Sequence, residues 1–210
     1  MTSRRTWPGR KMKKLAEIFS YAMHPLFLPL YGLFFIFNSN SVFAFIPAVA
    51  KNYCYVVTFI CLCLLPVLTL PLFKKLRLIQ SYHLSERKER IYPVIVSVFY
   101  AFLGFYLIRQ LPYTNIVQQM YLVLIIVLCG FAIVTLRWKM SMHMTAIGAV
   151  CGFLLIIGFR YFGDVRTTFM GLLCLAGLLG TCRLYLKKHN PAQVYAGFVF
   201  GLSFVFAILY

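Results

Sequence analysis

Acidic side chains are almost missing from this chain. Against 21 lysines and arginines stand only Glu17, Glu86, Glu89 and Asp164, for a formal charge of +17 over 210 residues. Hard divalent cations need several oxygen ligands. One aspartate cannot build the clustered cage that holds metal in membrane prenyltransferases and CDP-alcohol phosphotransferases. No metal or other cofactor is therefore expected. The seven cysteines (Cys54, Cys61, Cys63, Cys129, Cys151, Cys174 and Cys182) form no CxxC pair and have no histidines at zinc spacing. They are expected to be small buried hydrophobes. Internal repeats, low-complexity tracts and a soluble domain are missing too. Polar residues within the apolar runs are too few to line a path for a small anion, which counts against a transporter.

What the chain has in quantity is apolar sequence, at 62% hydrophobic residues and a mean hydropathy of +0.84. Seven segments approach bilayer-spanning length, at about 18–38, 53–73, 93–111, 119–136, 144–161, 167–183 and 192–210. The expected fold is an all-α polytopic membrane bundle of six to seven transmembrane helices. A basic tail over 1–17 precedes a single membrane domain over 18–210. Pro25, Pro29, Pro66 and Pro71 predict kinks in the first two segments. Asn38 to Ser41 cut the first from a second apolar patch ending at Ala50, which makes it the weakest span. It lacks a small-residue cleavage site and is read as a retained span.

Cations sort by loop. The tail has six (Arg4, Arg5, Arg10, Lys11, Lys13, Lys14), the 74–92 loop six, the 137–143 loop two and the 183–190 loop three, whereas the opposite loops hold Lys51, Arg109, Arg160 and Arg166. The positive-inside rule puts the tail and these three loops in the cytoplasm. A bacterial cytoplasmic membrane is the expected location. The tail is read as a topology determinant that meets anionic lipid, with no nucleic-acid partner expected.

Three stretches at membrane junctions carry polar chemistry: Glu86 to Pro93, Arg137 to His143, and Arg183 to Gln193. An even number of spans separates each from the next, so all three reach the same membrane face. The guanidinium of Arg183 can clamp phosphate oxygens, and an imidazole within reach of the same phosphorus can attack it or donate a proton. Both His143 and His189 stand near helix N-termini, where unpaired N–H groups and the helix dipole welcome an anion.

The last stretch reads Cys182-Arg183, five residues, His189, three residues, Gln193, and then Val194-Tyr195-Ala196-Gly197. It resembles the third motif of the type 2 phosphatidic-acid phosphatases, relatives of the vanadium haloperoxidases and bacterial acid phosphatases. In that family Ser-Arg, five residues, His, three residues, Asp occupies this place. Met140-Ser141-Met142-His143 is similar to the family's Pro-Ser-Gly-His, and the 46-residue interval between His143 and His189 fits one helical hairpin. Arg87 to Pro93 is loosely similar to the first motif, with Arg90 three residues before the proline. The outline covers residues 83–210, the close match about the last 75.

The resemblance implies that His189 attacks phosphorus to form a phosphohistidine while His143 protonates the leaving alkoxide and then activates water. It implies phosphate binding by Arg183 and Ser141, with Lys139, Arg87 and Arg90 in the same cradle. The implied partners are membrane lipids and a phosphorylated lipid substrate: phosphatidate, a phosphatidylglycerophosphate or a polyprenyl pyrophosphate. Gln193 departs from the family, because a neutral amide can accept the ring hydrogen bond but supplies no charge. That leaves open a catalytically weak or inactive relative that binds or moves phospholipids. Asn190-Pro191-Ala192-Gln193 also reads as a helix start with Asn as N-cap, so capping is a second duty for Gln193. His24 and His83 lack partners at motif spacing and are read as structural.

Overall fold

The computed structural model describes residues 9–79 and 87–210, and for residues 87–91 only the course of the backbone. The start of the tail and His83 lie outside the described residues. The described chain is helical, with one isolated antiparallel bridge between Asn40 and Asp164. In order it forms α1 (Gly9–Ala22), α2 (Leu28–Asn38), a short 3-10 turn (Val42–Phe45), α3 (Ala48–Thr58), a π segment (Phe59–Leu64), α4 (Leu65–Lys75), α5 (Arg87–Ile108), α6 (Asn115–Arg137), α7 (Met142–Tyr161), α8 (Arg166–Tyr185) and α9 (Pro191–Leu209).

Five stretches are long and apolar enough to cross a bilayer: Ala48–Lys75, Asn115–Arg137, Met142–Tyr161, Arg166–Tyr185 and Pro191–Leu209. The first of these is bent by its sequence. Pro66 lacks the N–H that would close an α-helical turn, and the ladder slips to π spacing just before it.

The segment read from sequence as a first span over 18–38 is broken. Pro25 has no N–H and disfavours helical backbone at the residue before it, so the chain turns over residues 23–27 and resumes as α2. At 11 residues α2 is about 16 Å long, well short of the ~30 Å hydrocarbon core. Residues 9–17 are also more than a tail, because they form the first half of α1. Ala16 and Ser20 of this helix are buried, Met12, Leu15, Ile18 and Tyr21 are exposed, and the helix packs on α8. Four cations crowd its first half and apolar side chains its second.

Two contacts fix how α2 lies. The His24 ring just before it meets the ring of His143 at the start of α7. Just after it, the Asp164 N–H beyond the end of α7 donates to the Asn40 carbonyl at 3.3 Å. With its flanking turns, α2 therefore follows α7 from one end to the other and in the same direction.

The tightest packing in the bundle is between α7 and α9, which also run parallel. Each carries a pair of glycines one turn apart, Gly148 and Gly152 on α7 and Gly197 and Gly201 on α9. A methyl group at Gly201 would collide with the Thr145 carbonyl oxygen, and one at Gly148 with the Phe198 carbonyl oxygen. Backbone presses on backbone. In lipid, where apolar side chains gain little by leaving their surroundings, such small-residue faces let helices reach van der Waals contact. Arg160 closes the far end of the pair by donating from Nη1 to the Leu209 carbonyl at 2.7 Å.

The cysteines divide. Cys54, Cys61, Cys63 and Cys151 are buried as expected, whereas Cys129 on α6 and Cys174 on α8 are exposed and Cys182 is half-buried.

Gly201→Ala is expected to lower stability by about 1–3 kcal/mol, because the colliding atom belongs to a backbone that cannot swing away. Gly177→Ala on α8, whose new methyl meets nothing within 4 Å, should be neutral or slightly stabilising. Thermal unfolding of both variants in one detergent checks this; equal melting temperatures would refute the packing account.

Candidate functional site

Termination chemistry positions the third motif. Helix α8 ends in a 6→1 closure in which the Lys188 N–H donates to the Arg183 carbonyl at 3.1 Å, with Lys187 in the left-handed region at φ 52°. The chain then starts α9 with a capping box. Asn190 Oδ1 accepts the Gln193 N–H at 2.9 Å, and Gln193 Oε1 accepts the Asn190 N–H at 3.3 Å. Between these two devices stands His189, turned back beside the end of α8. The spacing from Arg183 to Gln193 is thus the length of one helix stop followed by one helix start.

Gln193 performs both duties that the sequence left open. Its Oε1 also faces His189 Nδ1 at 3.0 Å. The Asn190 N–H can only donate, so the amide atom that it meets is the oxygen. The ring nitrogen facing that same oxygen must then carry the hydrogen. A neutral His189 is protonated on Nδ1 and keeps the lone pair on Nε2.

The second motif is joined to the third through the backbone. The Ser141 N–H donates to the Gln193 carbonyl at 3.2 Å, and the Ser141 carbonyl accepts from both the N–H and the hydroxyl of Thr145, at 2.9 and 3.1 Å. The Ser141 side chain is fully buried, and its Oγ has no hydrogen-bond partner among the described residues. These bonds hold the start of α7 against the start of α9, so two helix N-termini open at one mouth.

His143, half-buried in the first turn of α7, is the hub. Arg183, His24 and His189 all lie within electrostatic reach of its ring, and the Ser20 backbone at the end of α1 forms a hydrogen bond with it. His24 meets it edge to face, with ring centroids 5.3 Å apart and planes at 81°. Burial first, and Arg183 second, lower the pKa of His24 below the ordinary 6.5.

The structure thus brings His143, His189, Gln193, Arg183 and Ser141 to one end of the bundle, a meeting that the parity of the loops allows. Lys139 belongs there as well. With Leu184, Lys187, Lys188, His189, Asn190, Pro191 and Gln193 it lines an open concavity of about 530 Å³. Arg183 and His143 are not part of that lining. The side chains of Arg87 and Arg90 lie outside the described residues, although the start of α5 that carries them is helical.

His24 has a partner that motif spacing does not show. It was expected to be structural for want of a partner at motif spacing, and its partner is His143, far along the chain. The broken first span delivers it. The one local signal was its place before Pro25, which marks a break in an apolar run beside a titratable group. An apolar groove of about 70 Å³ also adjoins the site, lined by Pro25, Leu28 and Gly32 on one side and by Ala146, Ala149, Val150 and Leu154 of α7 on the other. Its upper end is one helical turn below His143.

In ¹⁵N spectra of histidine-labelled protein, neutral His189 is expected to show a protonated Nδ1 and a lone pair on Nε2. Gln193→Leu should abolish that bias. A neutral His189 with Nε2 protonated in the unsubstituted protein would overturn the assignment.

No family model, curated protein or solved structure matches this chain.

Proposed function

We propose that this chain is an integral membrane phosphatase that hydrolyses a lipid phosphate or a polyprenyl pyrophosphate through a phosphohistidine, without a metal. The observation that supports the proposal is the meeting of Arg183, His143 and His189 at two parallel helix starts, with the bond from His189 Nδ1 to Gln193 assigning the lone pair of the neutral ring to Nε2. A guanidinium and two helix N-termini favour the equatorial oxygens of a phosphoryl group. A neutral imidazole whose Nε2 carries the lone pair can act as a nucleophile.

In the first step a P–N bond forms at His189 Nε2 as the ester P–O bond breaks, and the leaving alkoxide takes a proton from His143. In the second, water attacks the phosphohistidine, His143 takes the proton from that water, and phosphate leaves with His189 restored. Nδ1–H stays on Gln193 throughout and orients the ring. Lys139, Lys187 and Lys188 around the open concavity supply cations to the incoming headgroup. Arg87 and Arg90 are proposed for the same role.

Lipid is favoured over a soluble phosphate by the apolar groove below His143, which suits the first carbons of an acyl or prenyl chain. The cations and exposed apolar residues of α1 suit contact with an anionic membrane surface. Counted with α2 and α5 the bundle would cross six to seven times, and the positive-inside rule would put the site at the cytoplasmic face of a bacterial inner membrane.

A second reading, a relative that binds or moves phospholipids without cleaving them, is favoured by one observation. Gln193 is uncharged, and its capping bonds alone account for its presence. In the serine-protease triad, a different class of enzyme, replacing the charged orienter of the histidine by a neutral amide lowers turnover by about 10⁴.

Protein in detergent, given lipid phosphates and a chelator, is expected to release phosphate. His189→Ala should abolish release, and the rate should be bell-shaped in pH, because attack needs neutral His189 and leaving-group protonation needs charged His143. Lipid binding without phosphate release under any condition would favour the carrier instead. On the same reasoning, Gln193→Glu keeps both acceptor bonds, adds the missing charge and should raise kcat by about tenfold or more.

A further inference from the structure

We propose that His24 is a positioning residue of this site, held by the break between α1 and α2 so that it braces the His143 ring toward Arg183 and His189. The inference rests on the functional reading above only for the identity of the ligand, a phosphoryl group. The ring contact stands by itself.

The segment that carries His24 is pinned along its length. The Met23 N–H donates to the Phe19 carbonyl at 2.9 Å, the His24 N–H to the Tyr21 carbonyl at 3.1 Å, and the Phe27 N–H to the His24 carbonyl at 2.9 Å. From outside the turn, Tyr31 Oη donates to the Ala22 carbonyl at 3.0 Å and Cys63 Sγ to the Leu26 carbonyl at 2.9 Å. These bonds fix the course of the backbone on either side of His24.

The ring is fixed as well. Its Nδ1 accepts the Leu26 N–H at 3.3 Å, so a neutral His24 carries its hydrogen on Nε2. The charged and titratable groups that act on it come from two neighbours, His143 on α7 and Arg183 on α8. Burial and Arg183 both favour the neutral form. In its neutral form His24 presents one N–H dipole and adds no competing cation within electrostatic reach of the guanidinium. The same short segment also supplies the Ser20 backbone that hydrogen-bonds to His143. Two contacts to the proposed general acid thus come from residues 20 and 24, at the end of α1 and in the turn after it, which is what orienting a ring requires.

A plainer role for His24 is to satisfy the Leu26 N–H and make the turn. Asparagine does that equally well, because its side chain accepts a bond from the residue two positions on. His24→Asn keeps the turn and removes the imidazole. His24→Gln removes the imidazole in a different shape and serves if the asparagine variant does not fold.

The test is a pH titration of the histidine ¹⁵N signals of the full chain in detergent, with the His143 signals assigned by their loss in His143→Asn. If the two rings are coupled, His24→Asn moves the His143 midpoint by about one pH unit, leaves the melting temperature near that of the unsubstituted protein, and lowers kcat for lipid phosphate by about tenfold at unchanged KM. A His143 midpoint that stays in place in whichever variant folds would overturn the proposal. Absence of phosphate release from every lipid tested would remove the hydrolase reading, and the titration would still decide the role of His24.

Discussion

The whole arrangement depends on two helices being allowed to touch. Where Gly201 meets the Thr145 carbonyl and Gly148 meets the Phe198 carbonyl, α7 and α9 approach to backbone contact, and no side chain of ordinary size fits in between. That contact sets the register of two parallel helices. Register in turn decides that the Ser141 N–H reaches the Gln193 carbonyl and that His143 and His189 open at the same level. A slip of one residue would turn each helix by about 100° and carry both imidazoles away from each other.

Around that pair the other elements serve as supports. Helix α8 contributes Arg183 and, through its left-handed stop, the turn that returns His189. Helix α2 reaches along α7 from His24 to Asn40 and ties both ends of it. Helix α1 stays at one end, with its buried face on α8 and its last turn against His143. The same end of the molecule therefore gathers contributions from residues near 20, 140 and 190.

Much of this was legible in the residues, for physical reasons that differ from part to part. The spans near 119–136, 144–161, 167–183 and 192–210 appear within a few residues of their expected limits, because an uninterrupted apolar run of that length has one stable form in lipid. Parity put Arg183, His143 and His189 on one face and allowed a single site; their meeting at one end of the bundle comes from the fold. The first span misled, because Pro25 was read as a kink within one helix, whereas it ends that helix and a new one starts at Leu28. His24 was invisible at motif spacing, since its partner is distant in sequence. The glycine pairs at 148 and 152 and at 197 and 201 were present to be read as a small-residue interface, and their importance appears only with the distance between the two backbones. The Gln193 alternatives turned out to be compatible, since one carbonyl oxygen has lone pairs enough for two donors.

The parallel course of α7 and α9 has one more physical result. Two neighbouring helices that point the same way place their positive dipole ends together, and Arg183 adds its charge close to them. On the proposed function, a bound phosphoryl group would offset that positive charge. Occupancy and cohesion of the bundle would then be linked, and a tightly held guest would make the protein harder to unfold by the ordinary law of mass action.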